Sequence, residues 1–141
     1  MVLADLPELR PEHLLGRRIF SSSDARKASR TENPIVTFRI FVDEKHPLEL
    51  STDRLDFADD TVMTQAADEE IPPDRNAFYG WATMSVENAS QNERVVRVTP
   101  REGNPYHADI CLPTPSAQET EVRIQHAREL ASYARWRSRA D

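Results

Sequence analysis

The chain has 141 residues, with 24 acidic and 18 basic side chains, ten prolines, three glycines and a single cysteine. This length suits a single domain over residues 1–141, and one cysteine excludes an internal disulfide framework. No apolar run approaches the roughly 20 residues that cross a bilayer, and residues 1–10 lack the pattern of a secretory signal. We therefore expect a soluble cytoplasmic protein without membrane association.

Acidic residues are concentrated in the middle of the chain. Residues 43–76 hold eleven acidic and three basic side chains, whereas the two flanking segments are nearly balanced, so the net charge of −6 arises here. Such a segment repels a phosphate backbone, which makes nucleic acid an improbable partner. It suits either a solvated acidic connection or a surface that attracts a basic protein.

The first half of the chain predicts an irregular segment, two helices and two strands. Residues 1–34 have no regular periodicity, apart from a short helix over 25–29 with N-cap candidates just before it. Residues 35–42 are almost entirely β-branched or aromatic, which is typical of a strand. A turn leads to a short strand over 48–51, and an aspartate caps a helix over about 59–70, which two prolines end.

The second half predicts three strands and two helices. Strands are expected over 79–84, 94–99 and 106–112, and Ser85 caps a short helix that ends near Asn92. Ser116 to Glu119 fit a capping box, which begins a long C-terminal helix with a stripe of apolar and small residues. Three arginines are expected at its carboxyl end, where cations oppose the helix dipole: Arg135, Arg137 and Arg139.

The strands over 94–99 and 106–112 are predicted to form a hairpin with a defined register. Pairing Thr99 with His107 sets Arg97 opposite Asp109 and collects the apolar side chains on one face. The same pairing brings Val96 and Val98 beside Ile110 and Ala108. The whole pattern predicts an α+β fold, in which a mainly antiparallel sheet of four to five strands carries the C-terminal helix packed on one face.

The strand over 106–112 holds the strongest candidates for chemistry. His107, Asp109 and Cys111 share one face, so a general base and a carboxylate project from the same side. His107 and Asp109 are about 7 Å apart at the usual strand rise. The alternative is structural: Asp109 pairs with Arg97, and His107 bonds to backbone.

Other side chains are candidates for binding. Tyr79 and Trp81 alternate on one strand and suit a stacking surface, although such pairs usually pack in a core. Tyr106 precedes the candidate histidine in the sequence, and the predicted register sets Arg97 opposite Asp109, so both are further candidates for binding. No spacing typical of a zinc site occurs, and three glycines leave no phosphate-binding loop, so we expect no metal and no cofactor.

These observations favour a small non-catalytic protein that binds another macromolecule. The expected partner is a protein, or a second copy of the chain in a homo-oligomer. The alternative is a small enzyme or ligand-binding domain whose polar pocket surrounds His107 and Asp109. A concave pocket lined by His107 and by a polar group from a distant element would favour that alternative.

Overall fold

Six strands and four α-helices make up the fold in the computed structural model, which describes residues 6–141. The strands are β1 (Leu14–Ile19), β2 (Glu49–Arg54), β3 (Gly80–Ser85), β4 (Val95–Val98), β5 (His107–Cys111) and β6 (Arg135–Ser138). The helices are α1 (Ser22–Ala28), α2 (Asp60–Asp68), α3 (Val86–Ala89) and α4 (Thr120–Tyr133). Two 3-10 turns lie at Phe38–Phe41, between α1 and β2, and at Ser116–Gln118, before α4. Residues 1–5 of the predicted N-terminal segment lie outside the described residues.

All neighbouring strands are antiparallel and form one sheet in the order β4–β5–β2–β1–β3–β6. The predicted α+β class with a mainly antiparallel sheet is therefore confirmed, but with six strands rather than four or five. The hairpin register is also confirmed: Arg97 pairs with Asp109, and the Thr99 amide donates to the His107 carbonyl.

The predicted strand over 35–42 is wrong. Phe38–Phe41 forms a 3-10 turn, in which the adjacent residues Ile40 and Phe41 are both buried. Successive residues of a strand point to opposite faces of the sheet, so a strand with a core on one side would bury only one of these two neighbours. The 3-10 turn buries both of them. The apolar composition identified a buried segment but not its backbone conformation.

Two strands occupy segments for which other structures were predicted. The irregular N-terminal segment contains β1, which pairs with β3 along its whole length. The predicted C-terminal helix ends at Tyr133, because Ala134 is extended and the chain continues into β6. Arg135 and Arg137 therefore lie on an edge strand that pairs with β3, rather than at a helix terminus.

The predicted capping box at the start of the C-terminal helix is also absent. Ser116 begins a 3-10 turn, and Glu119 is the N-cap of α4 without a side-chain capping bond. In contrast, Ser21, Asp59 and Ser85 each cap a helix through a side-chain oxygen. Asn92, which follows α3, has a positive φ of 55°.

Each face of the sheet carries its own hydrophobic cluster. The larger cluster joins Leu15, Leu50 and Ile110 of the strands to Ala127 and Leu130 of α4. The opposite face, of which α2 covers only part, has a smaller cluster. It consists of Leu55, Met63, Ala67, Phe78 and Trp81. No helix within residues 6–141 combines the length and apolar character needed to span a membrane.

Candidate functional site

A cleft opens where two central strands stop pairing. β1 and β2 pair only at Leu15–Arg54 and Gly16–Asp53, whereas β1 follows β3 for six residue pairs. The cavity at this position has a volume of about 1090 Å³. We call it the inter-strand cleft. Its lining comes from strands β1 and β2, the β4–β5 loop and the start of α4. The 3-10 turn at Phe38–Phe41, the segment that follows this turn and the segment that follows α2 also contribute.

Cationic side chains outnumber carboxylates around the inter-strand cleft. Seven basic residues line it: Arg17, Arg18, Arg39, Lys45, Arg75, Arg101 and Arg123. Five acidic residues line it: Asp43, Glu44, Asp53, Glu70 and Asp74. A chain with a net charge of −6 thus surrounds this cavity with a local excess of positive charge.

Asp53 is the most deeply buried carboxylate of the cleft, with 1% of its surface exposed. The Arg18 guanidinium donates to both its oxygens, from Nε at 2.8 Å and from Nη2 at 2.9 Å. Trp81 Nε1 donates to it at 3.0 Å and Asn104 Nδ2 at 3.2 Å. Four donors saturate this carboxylate and hold the β1, β2 and β3 side chains together.

Glu70 connects the end of α2 with the opposite side of the cleft. Its carboxylate accepts from Arg18 Nη1 at 2.8 Å and from Arg101 Nη2 at 3.0 Å. Burial raises the pKa of Glu70, but the hydrogen bonds and charges of Arg18 and Arg101 outweigh that effect and hold it below its usual range. Glu70 is therefore an anionic bridge between two cations.

Arg17 bridges the gap between the strands on the other side of β1. Its Nε donates to the Ile40 carbonyl and its Nη1 to the Ser51 carbonyl, each at 2.9 Å. Asp43 lies 3.7 Å from Nη2. The side chain therefore takes the place of strand pairing between β1 and β2, which keeps the cleft open without leaving the Ser51 carbonyl unsatisfied.

Three cations of the lining remain available to a ligand. The side chains of Arg39, Lys45 and Arg75 are exposed and make no hydrogen bond or ion pair within residues 6–141. The other arginines of the lining are bound to carboxylates or backbone carbonyls, as Arg123 is to the carbonyls of Ala117 and Gln118.

His107 is a second buried titratable group of the cleft, with 6% of its surface exposed. Its Nδ1 lies 2.8 Å from Thr99 Oγ1 and 3.1 Å from the Thr99 carbonyl oxygen. Its Nε2 has no hydrogen-bond partner in the described part of the chain, and Asp109 Oδ1 is 3.8 Å away. Burial and the Arg101 charge lower the pKa of His107 against the opposing effect of Asp109, so the imidazole is neutral at pH 7.

The remaining candidate residues lie around this site in different ways. Asp109 is near His107, while Arg97 pairs with Asp109 in the strand register but makes no ion pair with it in residues 6–141. Trp81 is fully enclosed beneath Asp53, and Tyr79 packs half-buried against the larger hydrophobic cluster. The two aromatic residues therefore do not form one exposed surface.

Tyr106 and Cys111 lie on either side of the candidate pair. Tyr106 packs against the smaller hydrophobic cluster and hydrogen-bonds through its backbone amide to Asn104. Cys111 is half-buried, and burial raises the pKa of its thiol, which makes it a weaker nucleophile at neutral pH.

Local patterns gave no signal for most residues that line the cleft. Arg18, Glu70 and Arg101 come from three distant parts of the sequence, and their role depends on tertiary pairing. One signal was present in the sequence: basic Arg17 and Arg18 stand outside the acidic segment that holds their partners, Asp43 and Asp53.

No group of three or more histidine, cysteine or carboxylate side chains within residues 6–141 is arranged to hold a metal ion. Comparison with family models, curated proteins and solved structures gives no match for this chain.

Proposed function

We propose that the protein binds a small organic anion in the inter-strand cleft. The observation that carries this proposal is the set of exposed cations, Arg39, Lys45 and Arg75, which line a concave cavity without a carboxylate of their own. Small molecules bind in concave sites of a few hundred to about 1,000 Å³, where a few charged groups fix their orientation. The cleft, at about 1090 Å³, lies at the upper limit of that range.

The sequence left open a small enzyme or ligand-binding domain, which a concave pocket lined by His107 and by a polar group from a distant element would favour. The cleft has both features. His107 lines the cleft together with polar groups from distant elements, namely Arg18 of β1 and Glu70 beyond α2. This favours a ligand-binding domain over a purely macromolecular partner. We propose binding and assign no reaction to the cleft.

The acidic segment offers less support for a protein partner than its composition suggested. Within residues 6–141, five of its eleven carboxylates form ion pairs: Asp43, Asp53, Asp60, Asp68 and Glu70. A carboxylate that is already paired attracts a basic partner weakly. Binding to another macromolecule, or to a second copy of the chain, stays a prediction.

The test is direct titration calorimetry with pyrophosphate and citrate at low ionic strength. We expect the wild-type protein to bind at least one of them, with an affinity that falls as salt is added. The double variant Arg39→Ala/Lys45→Ala should lose at least tenfold in affinity, since each cation supplies charge-assisted hydrogen bonds. The proposal fails if the wild type binds neither anion.

A matched control separates the cleft from general electrostatics. Arg26 and Arg30 are exposed, lie outside the cleft lining and carry the same total charge as the tested pair. The double variant Arg26→Ala/Arg30→Ala should bind within about twofold of wild type. An equal loss in both double variants would contradict a site in the cleft.

A further inference from the structure

We propose that a second surface of the molecule binds an acidic, partly apolar peptide segment of a partner protein. This surface is a cavity of about 440 Å³ between α1, residues 35–39 and the second half of α4. We call it the outer groove. Phe38 and Arg39 line both cavities, whereas the other residues of the outer groove lie outside the lining of the inter-strand cleft. The inference goes beyond the proposed function, because it concerns a macromolecular partner at a different site.

The outer groove is cationic without compensation. Three basic side chains line it, from Lys27, Arg39 and Arg128, and no carboxylate of the described chain does. None of these side chains donates a hydrogen bond or forms an ion pair among the residues that the structure describes. Asp24 accepts from the Thr37 hydroxyl at 2.8 Å, but it does not line the groove. In a chain with a net charge of −6, this local surface attracts carboxylates.

Arg128 is held at the groove by an aromatic ring. Its guanidinium carbon lies 4.6 Å from the centroid of the Phe38 ring, a distance at which a cation is attracted to the ring face. This attraction positions the exposed guanidinium without a carboxylate or carbonyl acceptor in the described chain. A carboxylate of a ligand therefore meets a positioned set of N–H donors, which suits a bidentate contact.

Apolar side chains complete the lining of the outer groove. Ile35 is 48% exposed, although it is a large apolar residue. Val36, Phe38 and Ala131 are partly buried and pack against the larger hydrophobic cluster. An apolar side chain of a ligand would cover Ile35, while carboxylates of the same ligand meet the cations. The complementary ligand is therefore both acidic and partly apolar.

The net charge of the whole chain favours a peptide over an anionic membrane or a nucleic acid. Charges interact over about 8 Å at physiological ionic strength, so a short peptide in the groove meets mainly its three cations. A bilayer or a nucleic acid extends beyond the groove and meets the surrounding surface of a protein whose net charge is −6, which repels phosphate groups. A concave groove also fits a chain segment better than it fits a flat bilayer.

A second copy of the chain fits the outer groove poorly. Its acidic helix α2, on which Val62 is 45% exposed, packs on the smaller hydrophobic cluster. The outer groove lies against the larger cluster, on the opposite face of the sheet. A copy that docked through α2 would form a head-to-tail array rather than a two-fold dimer. We therefore assign a different protein as the partner.

The experiment begins with a selection of peptides. Random dodecapeptides displayed on phage are selected against the immobilised full-length protein, and the strongest binder is synthesised and titrated by fluorescence polarisation. We expect the enriched peptides to combine several carboxylates with apolar residues, and the measured affinity to fall as salt is added. An absence of enrichment, or an enrichment of basic peptides, overturns the inference.

Two double variants locate the bound peptide. Lys27→Ala/Arg128→Ala removes two cations that do not line the inter-strand cleft, and it should weaken binding about tenfold because two charge-assisted contacts are lost. Arg26→Ala/Arg30→Ala removes the same charge from exposed residues outside both linings, and it should bind within about twofold of wild type. An equal loss in the two variants overturns the outer groove as the binding site.

A second pair of variants tests the apolar contact. Ile35→Ser should weaken peptide binding about fivefold, because the covered apolar side chain is lost. Val95→Ser on β4 is the matched control and should bind like wild type, since the two residues are 48% and 49% exposed. Substitutions at such exposed positions leave the fold intact. An equal effect of the two changes contradicts the apolar contact and overturns the inference.

A parallel titration separates the other classes of macromolecule. Vesicles of phosphatidylcholine with phosphatidylserine, and a single-stranded oligonucleotide, are measured with the same variants. Binding of either one, lost in Lys27→Ala/Arg128→Ala and without binding of an acidic peptide, overturns the peptide as the occupant. Each of these outcomes leaves the proposed function standing, because that function is tested separately with pyrophosphate and citrate.

Discussion

Substitution of Asp53 by alanine tests the polar centre of the cleft. The carboxylate is 1% exposed and accepts from Arg18, Trp81 and Asn104, so its removal leaves several buried donors unpaired. Breaking a buried ion pair by deleting one partner costs about 3–5 kcal/mol. Arg18 keeps a second partner in Glu70, which places the expected loss near the lower end, about 3 kcal/mol.

The assay is equilibrium unfolding in urea, from which the free energy of unfolding is extrapolated to water. A matched control is Asp109→Ala on the neighbouring strand β5, where the carboxylate accepts no hydrogen bond within residues 6–141. We expect that control to cost less than about 1 kcal/mol. The milder change Asp53→Asn gives a measurable variant if the alanine variant does not fold.

The result that would refute this reasoning is a small effect at the buried position. If Asp53→Ala loses no more than its control, the four hydrogen bonds do not contribute to stability as a buried network. A double-mutant cycle with Arg18→Met then measures the remaining coupling between the two side chains.

Two further predictions concern packing and pH. Gly16→Ala should lower the free energy of unfolding by about 1–3 kcal/mol. The reason is steric, because an added Cβ would lie 2.7 Å from Leu55 Cδ1 and 2.8 Å from Trp81 Cδ1. An unchanged melting temperature would contradict this prediction. The lowered pKa of His107 predicts stability that is present above its unfolded value of 6.5 and lost as the pH falls below it. The free energy of unfolding, measured in urea between pH 7.5 and 5, should therefore depend less on pH in His107→Phe than in wild type. The pKa of His126 is lowered in the same direction, so His126 accounts for part of the pH dependence that remains.

The hairpin of β4 and β5 was predictable because its information is local. Apolar and polar residues alternate on both strands, and only one parity places Val96, Val98, Ala108 and Ile110 on a common face. A turn-forming loop joins the strands directly. Register and orientation therefore follow from a contiguous stretch of about 20 residues.

Strand β1 was not predictable in this way, because distant parts of the chain stabilise its two arginines. Arg17 donates to carbonyls at Ile40 and Ser51, and Arg18 pairs with carboxylates at Asp53 and Glu70. Two adjacent arginines break the local alternation that signals a strand. Their burial is intelligible only when partners 23 to 52 residues away are known.

Strand β6 shows a different limit of local patterns. Ala134 and the arginines after it are compatible with a helix, and small residues continue the stripe of α4. Pairing with β3 instead places Trp136 beside Ala82, on the face of the larger hydrophobic cluster. Arg137 forms an ion pair with Asp60 on the opposite face. Sheet pairing and that ion pair together override a weak helical preference.

The same long-range pairing explains how an acidic protein acquires a cationic cleft. The acidic segment supplies carboxylates to arginines that lie outside it, in β1, in the β4–β5 loop, in β6 and directly after β6. Each pair neutralises one carboxylate with one cation, so composition is a poor guide to what a ligand meets. The field inside the cleft is set by the side chains that remain unpaired there, and within residues 6–141 these include the three cations Arg39, Lys45 and Arg75 and the two carboxylates Glu44 and Asp74. Neutralising paired carboxylates should therefore reduce stability, whereas neutralising these three cations should reduce binding and leave stability nearly unchanged.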